Sequence, residues 1–460
     1  MERKFAWAGY SENDINKVNE FAERYKAFLG KGKTERECVK EAVALAKKNG
    51  FKDLGALIEK GKALKAGQKL YYTYMDKCVM LFVIGKSPME KGFNIIGAHI
   101  DSPRLDVKQN PLYETDGLAY LDTHYYGGIK NYQWVALPLA LHGVVVKKDG
   151  KVIELSIGES DSDPVFCISD ILPHLGQDQM KKNAADAIEG EQLDVLIGGN
   201  PVQGVEKEAV KALALKYLKE KYDFEEEDFL SAELEVVPAG KPRDLGLDRS
   251  MILGYGHDDR VCAYAQLEAM FALDETPEKT VACILTDKEE IGSVGATGMR
   301  AKYFENAIAE IMHLMGEDGE LKLRRALSNG SMLSCDVSAG FDPAFAGAFE
   351  KKHAAFLGKG VCFNKFTGSR GKGGSNDANA EFMAKCRAIM DGAGISFQTA
   401  ELGKVNQGGG GTIAYICALY GMNVIDSGVA VLSMHAPWEI ISKADLYESV
   451  KAYKAFALNA

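Results

Sequence analysis

The chain has 460 residues, of which 46% are hydrophobic and 26% are charged, and its formal net charge is −10. A chain of this length exceeds what one hydrophobic core usually holds, so we expect two domains. The acidic balance contains no block of like charge, which argues against nucleic acid and anionic membranes as partners. No run of 18 apolar residues occurs, so the sequence predicts no membrane span.

The chain begins with two predicted helices and a predicted hairpin. Ser11 and Asp14, and then Thr34 and Glu37, have the spacing of capping boxes that start helices. Residues 70–75 and 78–84 have the pattern of a β-hairpin. Residues 93–101 follow as an apolar strand that ends in the sequence His-Ile-Asp.

Residues 110–245 differ in pattern from what precedes them. Short alternating segments separated by turn residues predict antiparallel strands, and residues 206–221 predict one amphipathic helix. A Pro-Ala-Gly-Lys-Pro run at 238–242 indicates the return to the first domain. We therefore predict a mainly β domain inserted into the other, which is permissible because the two ends of a domain commonly lie close together.

After the insertion, predicted strands alternate with predicted helices. Strands are expected at 280–285, 331–337 and 422–433, and Ser442 with Asp445 is expected to cap the last helix. This alternation predicts an α/β fold, in which residues 1–109 and 246–460 form a three-layer α/β/α sandwich as the catalytic domain.

Seven polar residues follow or interrupt apolar segments that have the character of strands. In an open α/β sheet such positions converge on the carboxyl edge, where ligands bind. Taken singly, each has an ordinary interpretation: a core histidine, a helix cap, or a solvated acidic turn. The seven are His99, Asp101, Asp258, Glu289, Glu290, Asp336 and His435.

Histidine and carboxylate side chains are ligands for borderline metals such as zinc. Two such metals about 3.5–4 Å apart can activate a water molecule and polarise a carbonyl group, as in hydrolases. A carboxylate that binds no metal is then needed to take the proton from that water. Glu289, beside the candidate ligand Glu290, is in the right place for this role. The nine cysteines stand singly, without a C-x-x-C pair, so we expect reduced thiols in a cytoplasm and no thiolate-bound zinc.

Five motifs carry a resemblance to a known family. They are AHIDSPRL at 98–105, GHDDR at 256–260, EEIGS at 289–293, SCD at 334–336 and LSMH at 432–435. In this order and spacing they resemble the aspartyl aminopeptidase/aminopeptidase I family of dinuclear zinc metallopeptidases, over nearly the whole chain.

The resemblance implies two divalent metal ions, zinc or else cobalt or manganese, bridged by Asp258. It implies that His99 and Asp336 complete the coordination of one ion and that Glu290 and His435 complete the coordination of the other. Glu289 is the implied general base. Asp101 is implied to orient His99, because a carboxylate on the far ring nitrogen fixes the tautomer of a ligand histidine.

The resemblance also implies self-association through the inserted domain into a hollow homododecamer. A histidine from the neighbouring subunit is then expected at the active site, and His174 is either that residue or a plain surface histidine. Lys365 is either a contact for an acidic substrate side chain or a solvated lysine, and Arg370 and Lys372 share its loop. Residues 408–412 either wrap the substrate backbone or form a glycine-rich turn.

The predicted function is a cytoplasmic metalloaminopeptidase that removes the N-terminal residue of peptides, with a preference for either acidic or neutral residues left open. One alternative is a related dinuclear carboxypeptidase or amide deacylase. Another, from a different class, is a catalytically silent assembly protein on the same fold, against which the intact Glu289 argues.

Overall fold

The computed structural model describes residues 4–368 and 370–460. The chain divides into two compact units, the first made of Met1–Asp101, Pro242–Met434 and Glu439–Ala460, and the second of Ser102–Lys241 with His435–Trp438. The second unit begins at Ser102, whereas the sequence predicts a border at 110, and it ends at Lys241 rather than at 245. The earlier start follows from a long strand that begins at Arg104, directly after the His-Ile-Asp segment.

Some of the helices begin at side chains that cap their free N–H groups. Both predicted capping boxes, Ser11 with Asp14 and Thr34 with Glu37, are confirmed. The predicted cap at Ser442 is wrong, since its side chain makes no capping hydrogen bond. The helices are α1 Glu12–Lys31, α2 Glu35–Lys48, α3 Leu54–Glu59, α4 Ala209–Tyr222, α5 His257–Phe271, α6 Tyr303–Leu314, α7 Glu320–Ser328, α8 Ala380–Gly392, α9 Ala414–Ala418 and α10 Lys443–Asn459.

The strands form three sheets. They are β1 Lys52–Asp53, β2 Lys69–Tyr74, β3 Cys78–Val83, β4 Asn94–His99, β5 Arg104–Thr115, β6 Leu118–Tyr126, β7 Leu139–Val146, β8 Val152–Ile157, β9 Val195–Gly198, β10 Ala232–Pro238, β11 Arg243–Leu245, β12 Met251–Gly254, β13 Val281–Thr286, β14 Ser331–Cys335, β15 Ser338–Ala339, β16 Val361–Asn364, β17 Phe397–Ala400, β18 Asn423–Gly428, β19 Ala430–Leu432 and β20 Glu439–Ser442.

The first unit contains a nine-stranded sheet in the order β1-β2-β3-β13-β4-β14-β18-β16-β17. Its four central strands, β13, β4, β14 and β18, run parallel. The predicted hairpin is confirmed as the antiparallel pair β2 and β3. A smaller five-stranded sheet, β11-β12-β20-β19-β15, belongs to the same unit.

Apolar side chains cover both faces of the nine-stranded sheet. One face, with Ile96 and Leu333, packs against α1, α2, α5, α8 and α10. The other, with Ile95 and Met332, packs against α3, α6, α7 and α9. Because successive residues of a strand point to opposite faces, a strand buried on both sides is apolar throughout. The predicted three-layer α/β/α sandwich is confirmed.

The second unit is built on the six-stranded sheet β8-β7-β10-β5-β6-β9, in which all neighbouring strands are antiparallel. Its first and last strands, β5 and β10, are neighbours, with Leu105 opposite Val236. The helix α4 is the long helix of this unit, so the unit is mainly β, as predicted. Along the described part of the chain, no helix has the length and hydropathy needed to cross a membrane.

Candidate active site

The central parallel strands of the nine-stranded sheet deliver polar residues to one edge. His99 is the last residue of β4 and lies opposite Thr286, the last residue of β13. Asp336 directly follows β14, which pairs with β4 on the other side. Because parallel strands end at the same edge, side chains from three distant sequence segments meet there.

The imidazole of His99 lies at the centre of this cluster. Its Nε2 atom is 3.2 Å from Oδ1 of Asp258, 3.8 Å from Oδ1 of Asp336 and 3.9 Å from Oε2 of Glu289. The ligand atoms of His99, Asp258 and Asp336 lie within 4.8 Å of one another, a spacing that suits one metal ion. The His99 ring is only 2% exposed.

A second group of candidate ligands comprises Asp258, Glu290 and His435. Asp258 therefore belongs to both groups. The Nδ1–H of His435 donates to the backbone carbonyl of Gly128 at 2.9 Å, and a carbonyl can only accept. This contact makes Nε2 the ring nitrogen that can act as a metal ligand.

Asp101 connects the histidine to the glutamate pair. Nδ1 of His99 is 3.0 Å from the backbone oxygen of Asp101 and 3.3 Å from its Oδ1. The same carboxylate accepts the backbone N–H of Glu289 at 3.1 Å through Oδ1 and that of Glu290 at 3.2 Å through Oδ2. The contact with His99 is the one that the resemblance implies. The two backbone contacts are new, because they join segments 188 and 189 residues apart.

The electrostatics of the cluster indicate a place for cations. Burial, followed by repulsion from Asp336, raises the pKa of Glu289 to about 8. Burial also raises the pKa of Asp336, and Asp258 adds to that shift by repulsion while His99 opposes it. Carboxylates crowded in this way are stabilised by a divalent ion, which offsets both the desolvation and the repulsion. The nitrogen and oxygen donor set suits zinc.

Three further acidic residues support the site and were not among the predicted residues. Oδ2 of Asp259 accepts the backbone N–H of His99 at 3.3 Å. Oδ1 of Asp426 accepts hydrogen bonds from Thr412 at 2.6 Å and Ser334 at 3.2 Å, and Glu439 accepts the backbone N–H of Asp258. Only Asp259 carried a sequence signal, since it lies within the GHDDR motif.

In the described part of the chain, the residues predicted to contact substrate form no ion pair with this cluster. Lys365 follows β16, which runs antiparallel to β18, so it leaves the sheet away from the edge that carries His99. The ammonium groups of Lys365 and Lys372 both bind Asp377, and Arg370 is exposed. His174 is an exposed residue of the second unit.

The glycine-rich segment at 408–412 is anchored at its end, because Thr412 is buried and donates to Asp426. The helix that follows it, α9, has five residues. The substrate roles of this segment and of Lys365 and His174 stay predictions.

Residues 28–457 match the protein family described as aminopeptidase I zinc metalloprotease, M18. The chain belongs to the M18 aminopeptidase family. A Clostridium acetobutylicum protein named probable M18 family aminopeptidase 1 is 57% identical over 459 residues, which covers 100% of this chain and 98% of the relative. A Thermotoga maritima protein of the same name is 45% identical over 456 residues, with coverage of 99% and 98%.

Solved structures agree with this assignment. The M18 aminopeptidase of Thermotoga maritima superposes with a TM-score of 0.95 at 44% identity, and both chains are covered in full. Aminopeptidase I of Clostridium acetobutylicum superposes with a TM-score of 0.93 at 55% identity, again over both full chains. The resemblance inferred from the five motifs is therefore confirmed, and the M18 chain is a metal-dependent aminopeptidase of a zinc family.

Proposed function

We propose that this M18 chain binds two divalent ions, zinc in the first instance, and uses them to hydrolyse the N-terminal peptide bond of peptides. The observation that carries the proposal is the membership of Asp258 in both groups of candidate ligands. His99 and Asp336 complete one group, and Glu290 and His435 complete the other. A shared carboxylate is how two-metal hydrolase sites hold their ions about 3.5–4 Å apart.

When bound, such ions supply an activated water and stabilise the negative charge that develops on the substrate carbonyl. The residues of the chain then orient the groups and move the proton. Glu289 is the proposed general base, because its Oε2 lies beside the ligand His99 while Glu289 belongs to neither ligand group. It takes the proton from water and returns it to the leaving amine. Asp101 holds the backbone of Glu289 and the ring of His99 together.

The preferred N-terminal residue is proposed to be either acidic or neutral. Lys365 is the candidate contact for an acidic side chain, and to serve as one it must leave Asp377 and reach the edge of the sheet that carries His99. The decisive experiment is a panel of peptides with Asp, Glu, Ala or Leu at the N-terminus, each free or acetylated, assayed with zinc, cobalt or manganese. Hydrolysis of free peptides alone supports the aminopeptidase reaction. Cleavage of acetylated peptides, or release of C-terminal residues, supports the related carboxypeptidase or deacylase instead.

Self-association is the second part of the proposal. The mature aminopeptidase 1 of Saccharomyces cerevisiae, described as a dodecamer, shares the fold with a TM-score of 0.76 at 21% identity, covering 96% of this chain and 97% of that one. We propose a homo-oligomer, with a dodecamer as its form, assembled through the inserted domain at 110–245. Four large apolar side chains exposed there support this: Ile171, Leu172, Leu175 and Met180.

His174 lies within this apolar segment, which is consistent with a role at a subunit boundary. A cytoplasmic location is also proposed, since all nine cysteines are free and eight of them are buried. Peptides and further copies of the chain are the proposed partners.

A further inference from the structure

Glu439 lies behind the residue that both ligand groups share. It is the first residue of β20 and pairs with Gly254, the last residue of β12. Its side chain is 1% exposed. One of its carboxylate oxygens, Oε2, accepts the backbone N–H of Asp258 at 3.0 Å. Neither the five motifs nor the predicted ligand set includes this glutamate.

The backbone of Asp258 needs such a partner. Asp258 stands at the start of α5, where the first N–H groups of a helix have no intrahelical acceptor. Its φ of −77° and ψ of 108° are not helical, so Asp258 lies outside the regular helix and its N–H takes an acceptor from elsewhere in the fold. A carboxylate at this end also interacts favourably with the helix dipole.

The residue before Asp258 is also held. The ring of His257 is fully buried, and its Nδ1 lies 2.7 Å from the hydroxyl of the buried Tyr25 in α1. His257 therefore fixes the chain on one side of Asp258, and Glu439 fixes the amide of Asp258 itself. With the backbone held, the direction of the Asp258 carboxylate depends only on its own side-chain rotamer.

We propose that Glu439 is a positioning residue for the metal centre, which holds Asp258 so that its carboxylate serves both ions. This inference rests on the proposed two-ion site. Because Asp258 is shared, a displacement of its carboxylate weakens the binding of both ions together. Loss of a ligand that belongs to one group, such as Asp336 or Glu290, weakens the binding of one ion.

The test compares two conservative variants, one that changes the length of the Glu439 side chain and one that changes its charge. Glu439→Asp keeps the negative charge but withdraws the oxygen from the Asp258 N–H by one methylene. Glu439→Gln loses the charge but keeps an oxygen at the same reach. Metal affinity is measured for each by competition with a chromophoric zinc chelator, and bound zinc is counted by elemental analysis. The control is Glu448→Asp, because Glu448 is equally buried and binds Tyr10 and the Ser396 N–H.

We expect Glu439→Asp to lower the affinity of both zinc ions by about 10–100-fold, the usual effect of removing a partner behind a metal ligand. Glu439→Gln is expected to stay within about threefold of the wild type, and Glu448→Asp to lower the melting temperature without changing zinc affinity. Wild-type affinity in Glu439→Asp, or equal weakening in Glu439→Gln, overturns the positioning role.

The zinc count of the wild-type chain separates this inference from the proposed function. One ion per chain overturns the two-ion site, whatever the Glu439 variants do. Two ions per chain, with unchanged affinity in Glu439→Asp, leaves the two-ion site standing and overturns only the role of Glu439.

Discussion

The carboxylate of Asp101 accepts the backbone N–H of Glu289 at 3.1 Å, and the same oxygen lies 3.3 Å from Nδ1 of the candidate ligand His99. One buried side chain thus sets the distance between the proposed base Glu289 and the candidate ligand His99. The short 3₁₀ helix Glu289–Ile291 is held against the end of β4 by this carboxylate and by its second bond, to the Glu290 N–H.

Asp101→Asn is expected to lower kcat/KM by about 10–100-fold. An asparagine keeps one acceptor oxygen, and its amide NH₂ then faces a donor, so one buried N–H loses its partner at a cost of about 1–3 kcal/mol in the free energy of unfolding. Kinetics with a chromogenic amino-acyl substrate and thermal melts check both effects. Asp342→Asn is the matched control, since Asp342 also accepts a backbone N–H, from Ala344, away from the site. An Asp101→Asn enzyme with wild-type kinetics contradicts the role.

Glu289→Gln is expected to keep its metal and lose about 10²–10⁴-fold in kcat, because only the proton transfer is removed. Elemental analysis and steady-state kinetics on the same preparation measure the two quantities. The control variant is Glu317→Gln, which alters a glutamate that binds the Met89 N–H elsewhere in the fold. Unchanged kcat in Glu289→Gln refutes the assignment of the base.

His435→Ala is expected to bind one metal ion per chain where the wild type binds two. His435 belongs to one candidate group only, whereas Asp258 belongs to both. Asp258→Ala is therefore expected to bind neither ion tightly. Elemental analysis after extensive dialysis gives the counts, and His313→Ala serves as the control because His313 is exposed and pairs with Asp318. Two ions retained in His435→Ala count against it as a ligand.

Metal removal is expected to destabilise the wild type, because the carboxylates around His99 then repel one another. Zinc at 100 times its dissociation constant adds about 2.7 kcal/mol per site to the free energy of unfolding. Without metal, Asp336→Asn is expected to be more stable than the wild type, since it removes one of the charges that raise the pKa of Glu289. Denaturant titrations with and without a chelator measure these differences. Without metal, an Asp336→Asn protein no more stable than the wild type is the outcome that contradicts this.

The double variant Leu175→Glu with Met180→Glu is expected to dissociate the proposed oligomer. The two side chains are 71% and 75% exposed in the single chain, and new charges there oppose apolar association. Sedimentation velocity measures the assembly. Leu247→Glu, at a fully exposed leucine of the first unit, is the control. A sedimentation profile identical to that of the wild type contradicts the assignment of this surface to the subunit interface.

Much of the site was predictable because candidate ligands such as His99 and Asp336 lie at or directly after the end of a strand that is buried on both faces. β4 and β14 are such strands, and an abrupt change from apolar residues to His99 or Asp336 is visible without coordinates. The capping boxes of α1 and α2 were predictable for a similar reason, since all their contacts lie within three residues.

Contacts between distant segments left no such signal. Glu439 binds the Asp258 N–H across 181 residues, and nothing in the sequence around Glu439 distinguishes it from other strand glutamates. The failed cap at Ser442 has the same cause, because the Asp445 carboxylate binds the N–H groups of Gly358 and Gly360 instead. Because the Asp445 carboxylate accepts two hydrogen bonds from residues far away in the sequence, it forms no capping box with Ser442.

The pairing of Leu105 with Val236 has a consequence for engineering. The chain enters the second unit along β5 and leaves it along the adjacent antiparallel strand β10, and neighbouring strands are about 5 Å apart. A reverse turn of a few residues spans that gap. Excision of the intervening sequence and closure with such a turn would thus keep the native path of the remaining chain, but the shortened protein would lack Gly128, whose carbonyl orients the ring of the candidate ligand His435.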